Sequence, residues 1–175
     1  MSSKLEAGTR FPEISIAKLG GGDMVLGQPS GDNDWQAVII YRGKHCPLCS
    51  KYLKQLDALA ARFGELKVSI VVASADPVEK AQAHLADLEV NLDVGYDLSI
   101  EQMKQLGLYI SHPRSAKETD RPFAEPGLFV INGEGNLQLT DISNGPFVRP
   151  DLEALLRGLK FIRNPENNYP IRGTY

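Results

Sequence analysis

The period of the apolar positions changes several times along the chain, and each change marks an element. "QAVIIYR", residues 36–42, is a short continuous run rich in β-branched residues, the pattern of a strand buried on both faces. From Pro47 the period lengthens. Tyr52, Leu53, Leu56, Leu59, Ala60 and Phe63 fall three and four apart, which predicts a helix closed by Gly64. "LKVSIVVAS" reads as a second buried strand. "DPVEKAQAHLADLE" follows as an amphipathic helix with Asp76 as N-cap and Pro77 in its first turn, and its His84 reads as a surface position. "SIEQMKQLGL" predicts a shorter helix with Ser99 as its cap. "GLFVIN", "GEG" and "NLQLTDIS" give strand, tight turn and strand, and "RPDLEALLRGLKFIR" gives the last helix. Upstream, "EISIAK" and "DMVLG" flank the turn-forming "LGGG", which predicts an N-terminal β-hairpin.

Strands that alternate with helices in this order predict an α/β fold with a central mixed sheet flanked by helices on both faces. Two stretches lie outside the scheme. Residues 108–126, "LYISHPRSAKETDRPFAEP", form a long polar loop with three prolines, a length usually tied to function or mobility. The tail over 164–175, "NPENNYPIRGTY", is too rich in Pro, Asn and Gly for regular structure. It is either a frayed end or an arm whose Tyr169, Ile171 and Tyr175 dock on this subunit or a partner.

Composition sets the scale. A chain of 175 residues that is 42% hydrophobic can bury one sizeable core, so a single domain is expected over 1–175. The formal net charge of −3, with no Lys/Arg block, gives no electrostatic basis for binding nucleic acid or an anionic membrane. No stretch reaches the length of a membrane span, and "MSSKLEAGTRFPEI" lacks the apolar run of a signal peptide, so a cytoplasmic protein is expected.

All the sulfur chemistry of cysteine lies in "YRGKHCPLCSKYL", where the first buried strand gives way to a helix. A metal site, an inert thiol pair and a redox pair compete for Cys46 and Cys49. Zinc needs about four ligands, and a second ligand pair is missing, with His45, His84 and His112 the only histidines. In a reducing compartment a static disulfide is disfavoured. The redox reading is therefore preferred. Cys46 stands at or beside the N-cap, where the helix dipole and unpaired N–H groups favour a thiolate, and Arg42, Lys44 and His45 precede it. Cys46 is expected to be the more acidic and more accessible thiol. Cys49, one turn on, is placed to close a disulfide with it.

The strand–CPxC–helix arrangement and the order of elements resemble the thioredoxin fold, and within it the peroxiredoxin-like AhpC/TSA (alkyl hydroperoxide reductase/thiol-specific antioxidant) family. "AGTRFPEISI", "GLFVINGEGNLQ" and "VRPDLEALLRGLKFI" carry that likeness over roughly residues 7–163. The resemblance implies a thiol-dependent oxidoreductase that works without a bound cofactor. Its nucleophile would be Cys46 and its resolving thiol Cys49, with a thioredoxin- or glutathione-type electron donor or a protein disulfide as partner, and a homodimer as an available assembly. Two positions depart from the family pattern. Gly43 stands where a peroxide-binding threonine is expected, and Pro126 stands where an arginine is expected. A proline directly before "GLFVIN" is the thioredoxin arrangement, which implies a cis Glu125–Pro126 bond facing the cysteines. On that resemblance Pro126 would shape the facing wall, Tyr41, Arg42, His45 and Pro47 would tune the site, and Arg42 or Arg121 could supply the missing positive charge. Three functions stay open: thiol–disulfide exchange, which the CPLC motif favours, reduction of H2O2 or organic hydroperoxides, and a non-enzymatic redox sensor or partner-binding module.

Overall fold

The computed structural model describes residues 3–175. Each buried run of the sequence becomes a strand of one seven-stranded mixed sheet. The hairpin β1 (Ile14–Lys18) and β2 (Asp23–Leu26) lies at one edge, antiparallel about the glycine-rich turn. The strands β3 (Trp35–Ile40), β4 (Val68–Ala73) and β5 (Asp93–Tyr96) run parallel to one another, as βαβ units require. β8 (Gly127–Ile131) and β9 (Leu137–Ile142) add antiparallel beyond β3, giving the order β2-β1-β5-β4-β3-β8-β9. This is the thioredoxin-like mixed sheet that the sequence implied.

Alternation along the strands feeds two cores. Ala37, Ile39 and Tyr41 point to one face with Val72, Leu128 and Val130. There they meet Leu53, Leu56 and Phe63 of helix α1 (Pro47–Glu65) and Leu156 and Leu159 of the last helix, α4 (Leu152–Arg163). Helix α2 (Val78–Leu88) adds Leu85 and Leu88 to that face. Val38, Ile40, Phe129 and Ile131 point the other way, to Met103 of helix α3 (Ile100–Gln105) and to Leu106, Leu108 and Phe123. Residue types that alternate in direction but not in polarity are what a two-sided sheet needs.

Several local expectations are corrected. Helix α1 runs through Gly64, and the left-handed residue after it is Lys67 (φ +61°). Asp76 does not cap α2. Pro77 occupies that position, and the Asp76 carboxylate turns to the Lys44 N–H at 2.7 Å. Ser99 does cap α3, in a full capping box with Gln102. The 108–126 segment is not a bare loop. β6 (Ile110–Ser111) pairs antiparallel with β7 (Phe123–Ala124), and Lys80–Thr119 and Arg121–Asp97 contacts fasten the intervening stretch. In the tail a short 3-10 turn (Pro165–Asn167) precedes Tyr169, whose ring meets Phe161 at 5.6 Å, while Tyr175 is fully exposed.

Candidate active site

Both cysteines are set by the start of α1. Cys46 is the N-cap, in extended conformation, and its Sγ accepts the Cys49 N–H at 3.2 Å. Proline at N1 loses nothing there, because that N–H has no helical partner. The turn that leads into the helix is fixed from outside. Gly43 has φ +137°, and an added Cβ would lie 2.6 Å from Asp76 Oδ1. That same carboxylate accepts the Lys44 N–H, so β3–α1 and β4–α2 are joined directly behind the cysteines. A side chain has no room at position 43, which explains the missing hydroxyl.

Arg149 approaches the sulfurs. Its Nη2 lies 3.0 Å from Cys49 Sγ and 3.9 Å from Cys46 Sγ. Its Nε donates to the Pro146 carbonyl at 3.2 Å, and its guanidinium lies 5.0 Å from the centre of the Tyr52 ring. The loop that carries it is wired to β8 and to itself by Ser143 N–H to the Pro126 carbonyl and Ser143 Oγ to the Gly145 carbonyl. Sequence reasoning missed this residue, because "VRPDL" reads only as the entry to a helix. No spacing rule links positions 103 apart; only the β3-β8-β9 order brings Arg149 back to Cys46.

The two thiols titrate as a pair and in opposite directions. A hydrogen bond from the Cys49 thiol, the Cys49 N–H and the Arg149 charge together outweigh burial and pull Cys46 down. The hydrogen bond it gives to Cys46, its own burial and the Cys46 charge push Cys49 up. Arg149 lies nearer to Cys49, yet the anion belongs on Cys46, which collects the cap N–H and the neighbour's thiol proton as well. Alkylation against pH is expected to label Cys46 first with a midpoint near 6, and prior labelling of Cys49 would reverse the assignment. The expected difference in access is nearly absent, since Cys46 is 2% exposed and Cys49 0%.

The other residues singled out from sequence are placed as follows. Tyr41 is in the core, and burial raises its pKa against a smaller opposing pull from Ser74. The Arg42 backbone exerts only a small downward pull on the Cys49 pKa, against the larger effects that raise it. Its guanidinium turns away to the Phe123 ring (4.7 Å) and to Glu125, with Nε 3.1 Å from Oε2. That N–H is not aimed at the oxygen, so the contact is an ion pair without a hydrogen bond. His45 packs edge-on against Phe123 at 4.6 Å with both ring nitrogens buried and unpartnered, and burial followed by the Arg42 charge lowers its pKa. Pro47 is exposed at the helix start. Arg121 is committed to Asp97, Asp120 and the Ala75 carbonyl rather than to sulfur. His84 is not a surface residue: it is 3% exposed, bonded at 2.8 Å to Ser50 Oγ, and that hydroxyl also donates to the Cys46 carbonyl. His112 is exposed. Among the described residues no three His, Cys, Asp or Glu side chains gather at one point.

Pro126 corrects a further expectation. The described residues contain no cis peptide, so Glu125–Pro126 is trans. The chain runs extended from β7 into β8, the Glu125 N–H donates to the Tyr109 carbonyl, and its carboxylate is held by Ser111 and Arg42, which leaves no reversal for a cis bond to make. Pro126 instead borders the small space between Tyr52 and Arg149.

The model of the AhpC/TSA family matches residues 7–140. A peroxiredoxin-like protein from Aquifex aeolicus superposes with a TM-score of 0.74 at 18% identity, covering 90% of this chain and 88% of that one. The peroxidoxin BcpB from Mycobacterium tuberculosis gives 0.73 at 19% identity, covering 91% and 99%. A peroxiredoxin 6 from Arenicola marina gives 0.76 at 16% identity, covering 93% and 75%. No curated protein sequence matches.

Proposed function

We propose, from the premise that this chain belongs to the AhpC/TSA family and is thereby a thiol-dependent oxidoreductase, that it reduces peroxides through a Cys46/Cys49 dithiol–disulfide couple. The observation that carries the choice of peroxide is Arg149 at 3.0 and 3.9 Å from the two sulfurs. A fixed guanidinium stabilises the thiolate before reaction and the negative charge on the departing oxygen during it. In the first step the Cys46 thiolate attacks one peroxide oxygen, the O–O bond breaks, and the other oxygen leaves as alcohol or water after taking a proton. Cys46 is then a sulfenic acid. The Cys49 sulfur attacks it, releasing water and closing a disulfide three residues wide. A thioredoxin- or glutathione-type dithiol or thiol donor returns the pair to the reduced state, and its own sulfurs are oxidised. No bound cofactor enters the cycle. A cytosolic setting suits such a couple, since it depends on a reducing thiol pool. The described residues include no helix long and apolar enough to cross a membrane.

Two observations favour a small oxidant over a protein disulfide as the oxidising substrate. Both sulfurs are buried, which hinders in-line approach of a large disulfide. The trans Glu125–Pro126 bond also withdraws the thioredoxin-like docking wall. Disulfide exchange remains the second reading, and the vicinal pair itself favours it. Stopped-flow oxidation of the reduced protein by H2O2 and by a protein disulfide separates the two. Peroxide is expected to oxidise Cys46 far faster than a free thiol of equal pKa. Cys46→Ser should abolish the reaction, and Cys49→Ser should leave one turnover that stops at the sulfenic acid. A rate no faster than a free thiol's, with rapid exchange on a protein disulfide, would decide for the second reading.

A further inference from the structure

Three residues beyond Cys49, on the same face of α1, Tyr52 makes two contacts that converge on one neighbour. Its ring lies under the Arg149 guanidinium at 5.0 Å. Its hydroxyl donates to the carbonyl of Pro150, the residue directly after Arg149, at 2.8 Å. Burial raises the Tyr52 pKa against the opposing pull of Arg149, so the hydroxyl stays protonated and remains a donor. Tyr52 and Arg149 also border one small space of about 10 Å³ together with Pro126, Asp141 and Pro150.

We infer that Tyr52 is a positioning residue for the reaction proposed above: it holds the backbone beside Arg149 with its hydroxyl and the guanidinium with its ring face, and so keeps the positive charge on the two sulfurs. The inference rests on the reading of Cys46 as the reactive thiolate. A cation over an aromatic face is attracted by the ring quadrupole, and more strongly once water is excluded. The same helix turn therefore supplies the second sulfur and the platform for the charge that serves both. Of the charges that act on Tyr52, Arg149 pulls against Asp141 and Asp151.

The test compares Tyr52→Phe and Tyr52→Leu, each alone and with Arg149→Ala, by the pH dependence of iodoacetamide labelling of Cys46. Tyr52→Leu is expected to raise the midpoint by about one pH unit, a slowing of about tenfold below it, and Tyr52→Phe by a few tenths, because the ring survives. With Arg149→Ala neither substitution should move the midpoint further, since the group being positioned is gone. A wild-type midpoint in Tyr52→Leu, or a shift of the same size without Arg149, would overturn the inference. If Tyr52→Leu does not fold, the volume-preserving Tyr52→Phe carries the same comparison, and an unshifted midpoint there overturns it. Labelling needs no turnover, so the reading of the reaction is judged separately. Shifted midpoints in a protein that consumes no peroxide would leave Tyr52 in its role and remove the peroxidase.

Discussion

Replacing Arg149 with Ala is expected to slow the reaction of Cys46 with peroxide by about a hundred- to a thousandfold, as for the loss of one preorganised donor. The residue is half of the site's charge balance. An opposite charge at this range ordinarily lowers an acid's pKa by about 1–3 units, so the Cys46 labelling midpoint should climb by that amount in the same variant. Arg149→Lys should recover only part of the rate, because an ammonium keeps the charge but lacks the Nε–H that anchors the guanidinium to the Pro146 carbonyl and the flat face it lays on the Tyr52 ring. Thermal unfolding should change little by comparison. The measurement is stopped-flow oxidation at a pH above both midpoints, where protonation no longer limits the rate. Undiminished oxidation in Arg149→Ala would mean that the charge is supplied from elsewhere and that the arginine is structural.

Gly43→Thr should fail as a repair. It would install the hydroxyl that the family pattern expects three residues before Cys46, yet the backbone there is at φ +137° and the new Cβ would meet the Asp76 carboxylate at 2.6–2.9 Å. The substitution must strain the turn or expel Asp76 from the Lys44 N–H. Backbone strain together with overpacking costs about 2–5 kcal/mol, to be read from chemical denaturation. Peroxide oxidation should be slower, since the distorted turn carries the N-cap thiolate. Gly43→Ala should share most of the destabilisation. A faster peroxide reaction at unchanged stability would show that the turn adapts and that position 43 was merely lacking a hydroxyl.

Legibility in the sequence followed the range of the forces involved. "QAVIIYR" and "LKVSIVVAS" carry their burial in composition, and the α1 spacing of Leu53, Leu56 and Phe63 is the buried face found in the structure. Cys46 as a helix cap was legible for the same reason: proline after a strand fixes where a helix can begin. β5, "DVGY", is too short and polar at its ends to stand out, and it becomes a strand because β1 and β4 leave a place between them. β6 and β7 are two residues each and exist through their mutual pairing. His84 looked exposed because a helical pattern of polar residues does not reveal which one finds Ser50 across a gap. Asp76 reads as an N-cap by local rules, and a long-range acceptor role displaced it. Arg149 is the extreme case: nothing within ten residues of it distinguishes it from Arg157 or Arg163 on the helix that follows.

The guanidinium on the sulfurs has a consequence for redox poise. It favours the dithiol, whose thiolate it can pair with, over the disulfide, which is neutral and leaves the cation without that partner. Every pKa unit by which Cys46 is held below the ambient pH stabilises the reduced form by about 1.4 kcal/mol, which for a two-electron couple raises the potential by about 30 mV. In the proposed cycle the disulfide would thus be the less comfortable and more oxidising state. The charge that would speed oxidation of Cys46 would also ease reduction of the pair by a donor, so both halves of that cycle would lean on one residue.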